Sequence, residues 1–133
     1  MTAKAEFGTV GFYRQMGDAL NADPEWTDKG KAITCTMAYV YGPPVSRSFF
    51  LQFDEGRVVK VEDITDQGEP AADFVITAST DDWKAVLRRE VKATTAMATG
   101  RLKVKGKQTY LLKNMAAFSY ILDVMTQLDP VYE

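Results

Sequence analysis

Between Lys31 and Ala78 lie four runs with the period-two spacing of a strand, and this constrains the fold more than any other feature of the chain. In Lys31 to Tyr41, Ile33, Cys35, Met37, Tyr39 and Tyr41 alternate with Thr34, Thr36 and Ala38. In Arg47 to Phe53, Phe49, Leu51 and Phe53 alternate with Ser48, Phe50 and Gln52. Successive side chains of an extended strand point to opposite faces, so this spacing predicts sheet with one face buried. The β-branched and aromatic content agrees. Asp54-Glu55-Gly56 reads as a tight hairpin into a third run, Arg57 to Ile64. A fourth, Ala72 to Ala78, sets Phe74 and Ile76 on one side.

On either side of this region the period lengthens to that of a helix. Val10, Tyr13, Met16, Gly17 and Leu20 share a helical face, and Pro24 is read as its end. After Ser79 or Thr80, either of which can cap, Asp81 and Asp82 suit the positive end of a helix dipole. Trp83, Val86, Leu87 and Val91 then form a stripe, Ala93 to Met97 adds a turn, and Gly100 closes it. Arg101 to Lys105 alternates again, with Leu102 and Val104 on one side, and predicts a fifth strand. Tyr110, Leu111, Met115, Phe118, Ile121, Leu122 and Met125 return to helical spacing as far as Pro130, in one helix or two broken near Asn114. The remaining breaks, at Gly42-Pro43-Pro44 and Asp66-Gln67-Gly68-Glu69-Pro70, are turns and not linkers. Helix, four strands in an antiparallel meander, helix, strand, helix is an α+β order, and 133 residues suit a single domain over 1–133.

Composition excludes several functions. Sixteen basic residues against eighteen acidic ones give a net charge of −2, which argues against a nucleic-acid protein. The chain has no histidine, so the commonest general base and metal ligand is missing. Cys35 stands alone, with no thiol to pair with and no imidazole to activate it. The carboxylate pairs Asp81-Asp82 and Glu62-Asp63 are adjacent in sequence and point apart, so neither suits an acid–base dyad. Gly100 to Lys107 resembles a phosphate loop only in passing: its spacing is one residue too long, and Gln108 stands where Ser or Thr is needed. No enzyme activity, cofactor or metal is expected. Met1 to Phe7 shows no apolar leader segment, no run approaches the ~20 residues of a membrane helix, and Pro130 to Glu133 carries no peroxisomal tripeptide. A cytoplasmic location without stable membrane insertion is expected.

The second half resembles a known family. Ala72-Asp73-Phe74-Val75-Ile76-Thr77-Ala78 is similar to the A-D-x-x-I-T strand of sterol carrier protein type 2 domains, and an acid-started helix follows as in that family. Ala96 to Gly106, reading A-M-A-T-G-R-L-K-V-K-G, is similar to the family's A-x-x-x-G-K-L-K-x-x-G, with Arg101 for the first Lys. Leu111 and Leu112 fall where the family has an apolar helix.

The resemblance implies a five-stranded, mainly antiparallel sheet with helices packed on one face. It also implies an apolar tunnel between the two layers for a fatty acid, an acyl-CoA or a sterol-like lipid. The residues expected to line that tunnel are Phe49, Leu51, Phe74, Ile76, Leu102 and Val104 from the strands. Trp83, Leu87, Met97, Met115, Phe118, Leu122 and Met125 are expected from the helices. At any one of these positions, read from the sequence alone, ordinary core packing is the preferred reading. Six methionines favour an adaptable interior, and burial of an acyl tail contributes about 0.8 kcal/mol per CH₂ without polar chemistry. Arg101, Lys103, Lys105 and Lys107 read either as an attractor of anionic head groups or as the solvated guard of a sheet edge, the second being preferred. Tyr39 and Tyr41 read as cross-strand aromatic partners before ligand-binding phenols. The competing function is a protein–protein or homodimerisation module on the same fold.

Overall fold

Residues 5–67, 71–128 and 130–132 are described by a computed structural model. Helix α1 (Val10–Asn21) turns Phe12, Tyr13, Met16 and Leu20 inward. Pro24 ends no more than the gap after it: a second helix, α2 (Pro24–Lys29), begins there, with the Asp23 carboxylate accepting from the Glu25 N–H at 2.9 Å. Proline is well placed in a first turn, where its missing N–H has no helical partner to lose. Trp26 anchors this short helix by donating its indole N–H to the Gly56 carbonyl at 2.6 Å.

The strands are β1 (Cys35–Tyr41), β2 (Ser48–Asp54), β3 (Arg57–Asp63), β4 (Phe74–Ala78) and β5 (Lys103–Lys105), in the spatial order β3-β2-β1-β4-β5. Glu55 and Gly56 both take left-handed backbone angles, φ 49° and 85°, making the two-residue turn that suits the twist of a hairpin. A Cβ on Gly56 would stand 2.6 Å from the Gly30 carbonyl oxygen, so this turn packs against the end of α2 only with glycine. A register shift at Gln52/Phe53 leaves Val59 as the extra residue of β3, turned outward and 51% exposed.

The expected antiparallel meander holds for β1–β2–β3 and fails at β4, which lies parallel to β1. The seat is made by two reciprocal bonds. The Thr36 N–H donates to the Asp73 carboxylate at 2.9 Å, and the Asp73 N–H donates to the Thr36 hydroxyl at 2.8 Å. Asp73 of the A-D-x-x-I-T stretch therefore ties the start of β4 to β1. The chain reaches it through a 3₁₀ turn, Thr65–Gln67; Gly68, Glu69 and Pro70 of the expected loop lie outside the described residues.

Ser79 caps α3 (Thr80–Leu87), its hydroxyl accepting from the Asp82 N–H at 3.1 Å. The helix stops before Val91, which the sequence stripe includes, because Arg89 turns the chain with φ 63°. Helix α4 (Ala93–Ala98) is separate. Strand β5 is shorter than the alternation implies, because the Leu102 N–H donates to the Ala96 carbonyl at 3.0 Å and ties that residue to α4. The C-terminal run divides at Asn114 into α5 (Gln108–Lys113) and α6 (Met115–Leu128), the Asn114 amide donating to the Tyr110 carbonyl at 3.0 Å.

The register gives each sheet face its rows. Phe49, Tyr39, Ile76 and Val104 stand side by side, as do Val61, Leu51, Met37 and Phe74. These rows face the helices. The other face carries Glu62, Phe50, Ala38, Val75 and Lys105 in one row.

Candidate functional site

The layer between helices and sheet has two parts. Around α1, α3 and the centre of the sheet it is a block of aromatic rings. Tyr13 stacks on Phe49 at 4.9 Å between centroids and lies 5.0 Å from Tyr39, while Trp83 stacks on Tyr41 at 5.0 Å. Their polar atoms are matched within the block. The Tyr13 and Tyr41 hydroxyls share a 2.7 Å hydrogen bond, the Tyr39 hydroxyl donates to the Met37 sulfur at 3.4 Å, and the Trp83 indole N–H donates to the Val40 carbonyl at 2.9 Å. Burial pushes the Tyr13, Tyr39 and Tyr41 hydroxyls well above the ordinary phenol pKa, so all three stay neutral.

The other part lies under β4 and β5, between them and α4 to α6. Phe74 meets Phe118 edge to face at 5.1 Å and Tyr110 at 5.6 Å. Met97, Val104 and Met115 are only half-buried. A cleft of about 520 Å³ opens at this end, lined by Thr34, Cys35, Ala72, Asp73, Phe74, Gly106, Lys107 and Tyr110. That size falls in the ~300–1,000 Å³ range of small-molecule sites. Two residues set its shape. The Tyr110 hydroxyl spans to the segment just before β1, accepting from the Thr34 N–H at 3.2 Å and donating to the Ala32 carbonyl at 3.3 Å. Gly106, at φ 152°, lies against Phe74 so closely that a Cβ would stand 2.3 Å from the ring. Cys35 offers the cleft no nucleophile: burial, and then the charge of Asp73, pushes its thiol up to about 12, so it is protonated at neutral pH.

A second cleft, of about 580 Å³, lies between the α3–α4 loop and α6, with Val86, Arg89, Val91, Lys92, Ser119 and Asp123 among its walls. A smaller one of about 360 Å³ adjoins Leu87, Arg88 and Thr126. Among the described residues, no three side chains of metal-ligating type come together.

All thirteen residues singled out from the sequence belong to this one layer. Phe49, Leu51 and Trp83 are fully buried around the aromatic block. Ile76, Leu102, Phe118, Leu122 and Met125 are also buried, while Phe74 lines the 520 Å³ cleft and Leu87 the 360 Å³ one. Neither Tyr110 nor Asp73 is among the site residues expected from the sequence. Asp73 stands in the family-like stretch, but nothing in the sequence shows that the Tyr110 hydroxyl reaches back to Ala32.

The SCP-2 sterol transfer family matches residues 19–119, and the chain belongs to that family. No curated protein matches the sequence. Solved structures agree on the fold. A structure described as sterol carrier protein 2 superposes with a TM-score of 0.81 at 22% identity, covering 92% of this chain and 98% of its own. A Thermus thermophilus protein, described as possibly a sterol carrier protein, gives 0.80 at 20% identity, covering 97% and 94%. Palmitated SCP2L2 from Aedes aegypti gives 0.58 at 10% identity, covering 84% and 90%. Family and fold together support lipid or sterol binding or transfer in general terms.

Proposed function

We propose that this protein is a non-catalytic carrier that binds the apolar chain of a fatty acid, acyl-CoA or sterol-like lipid between β4–β5 and α4–α6, acting as one domain over 1–133. The observation that carries this reading is the 520 Å³ cleft whose inner wall is Phe74, a ring itself in contact with Phe118 of α6. A guest passing Phe74 enters a layer edged by Met97, Val104 and Met115, residues that are half-buried and, for the methionines, conformationally adaptable. Phe74, Ile76, Leu102, Val104, Met97, Met115, Phe118, Leu122 and Met125 form its walls in this reading. Phe49, Leu51, Trp83 and Leu87 back them from the aromatic side. The palmitate on the mosquito relative is consistent with such a guest.

Native mass spectrometry of the purified protein and titration with a fluorescent fatty acid test the reading. Co-purifying lipid or saturable binding, weakened by Val104→Trp, is expected; neither lipid nor binding would overturn it. Self-association is the second reading, favoured by Phe50 and Val75, both half-buried on the sheet face away from the helices. Light scattering showing a concentration-independent dimer without lipid would favour it instead.

A further inference from the structure

Charge is partitioned along this chain more sharply than its net value suggests. Residues 91–122 hold six cations, Lys92, Arg101, Lys103, Lys105, Lys107 and Lys113, and no Asp or Glu. The remainder holds ten basic and eighteen acidic residues, a balance of −8 against +6. All six cations are exposed. Of the six, only Arg101 has an ion-pair partner among the described residues, Asp82 at 2.8 Å.

Four of the six lie along the edge of the sheet and the helix that follows. Lys103 and Lys105 flank Val104 on β5 and so point away from the helices, about 7 Å apart at strand spacing. Lys107 is in the turn before α5, and Lys113 is in the last turn of α5. Between the last two stands Leu112, 70% exposed and the most exposed large apolar side chain among the described residues. Guarding a sheet edge accounts for Lys103 and Lys105, since β5 is an edge strand. It accounts neither for an acid-free stretch of this length nor for an apolar side chain standing in water next to Lys113.

We propose that the β5–α5 edge is a docking surface for an anionic lipid bilayer. Lys103, Lys105, Lys107 and Lys113 meet the head groups, and Leu112 enters the interface between heads and tails. Each cation near such a surface contributes on the order of 1 kcal/mol, about fivefold in partitioning, so four suffice for reversible attachment. Of the acidic groups nearby, Asp82 is neutralised by Arg101, and Asp73 is tied to β1 through Thr36. No described helix is long and apolar enough to cross a membrane, so contact is peripheral. Lys107 also lines the 520 Å³ cleft, so docking on this edge brings the mouth of that cleft to the bilayer surface. Attachment itself needs no guest in the cleft, so the inference stands apart from the carrier reading.

Flotation with phosphatidylcholine vesicles, with and without phosphatidylglycerol, tests it at low and high salt. Binding is expected only to the anionic vesicles, and high salt should abolish it. Lys103→Glu/Lys105→Glu/Lys107→Glu should lower partitioning by at least on the order of 100-fold with an unchanged melting curve. The Gln versions serve if charge reversal impairs folding. Leu112→Ser should lower partitioning on the order of tenfold. Equal binding to neutral vesicles, no binding to anionic ones, or unchanged binding by the folded triple variant would overturn the proposal. So would a DNA duplex that displaces the vesicles while Leu112→Ser has no effect, which marks a nucleic-acid surface.

Discussion

The aromatic block and the β4–β5 side share one interior and are built on different terms. In the block, each tyrosine and the tryptophan carries its polar atom to a fixed partner: phenol to phenol, phenol to sulfur, indole to carbonyl. Under β5, inside the Tyr110 bridge at the mouth, Met97, Val104 and Met115 are partly open to solvent, and no directional bond among them holds one arrangement. Matched polar groups specify a single packing, whereas thioethers and aliphatic side chains tolerate several. The lesson is that one interior can hold a part fixed by matched polar groups beside a part packed without them.

The largest way to break this comparison is Trp83→Ala, expected to cost about 3–5 kcal/mol in denaturant unfolding. Met115→Ala should cost less than about 2 kcal/mol, because that side chain is only half-buried. Equal losses would show that the two parts are not different in kind. Next comes Tyr41→Phe, which strands the Tyr13 hydroxyl and should cost about 1–3 kcal/mol. Tyr13→Phe/Tyr41→Phe should cost less than the two single changes added together, read as a coupling energy in a double-mutant cycle.

The block should also dictate the alkaline limit. The folded pKa values of Tyr13, Tyr39 and Tyr41 lie above the unfolded value near 10, so below that pH both states are protonated and the contribution is fully present. As pH rises beyond it, the unfolded chain sheds protons first and stability falls. Melting followed together with tyrosinate absorbance should show cooperative loss above about pH 10, and changes at Met97 or Met115 should leave that limit in place.

The smallest effect is expected at the contact between α2 and α6. The Tyr120 hydroxyl donates to Asp23 and holds its carboxyl below the usual range, with backbone N–H groups adding to this. Such a depressed pKa contributes stability above the unfolded value near 4, lost as pH falls through the folded one. Tyr120→Phe should therefore soften only the acid limb of the stability profile.

The sheet is legible wherever residues alternate, because period two is a local property. Phe49, Leu51, Phe74 and Ile76 face the helices as their spacing requires. The partner of β4 is not legible, since the ladder to β1 and the bond pair between Thr36 and Asp73 are long-range contacts that no local pattern encodes. Helix α2 is hidden because a proline that starts one helix reads equally as the end of another. At the candidate site the apolar walls are readable as stripes. The mouth is not, because Tyr110, Thr34 and Gly106 come together only through tertiary contact.

The parallel seat of β4 carries a kinetic corollary. β2 and β3 are joined by a two-residue turn and can zip from Asp54 and Arg57 outward, whereas Met37 must wait for Phe74, thirty-seven residues on. Closing so distant a pair is slow relative to hairpin growth. The centre of the sheet should thus be completed late, and until then β1 offers a bare strand edge to other chains, which makes dilution during refolding the condition that matters most.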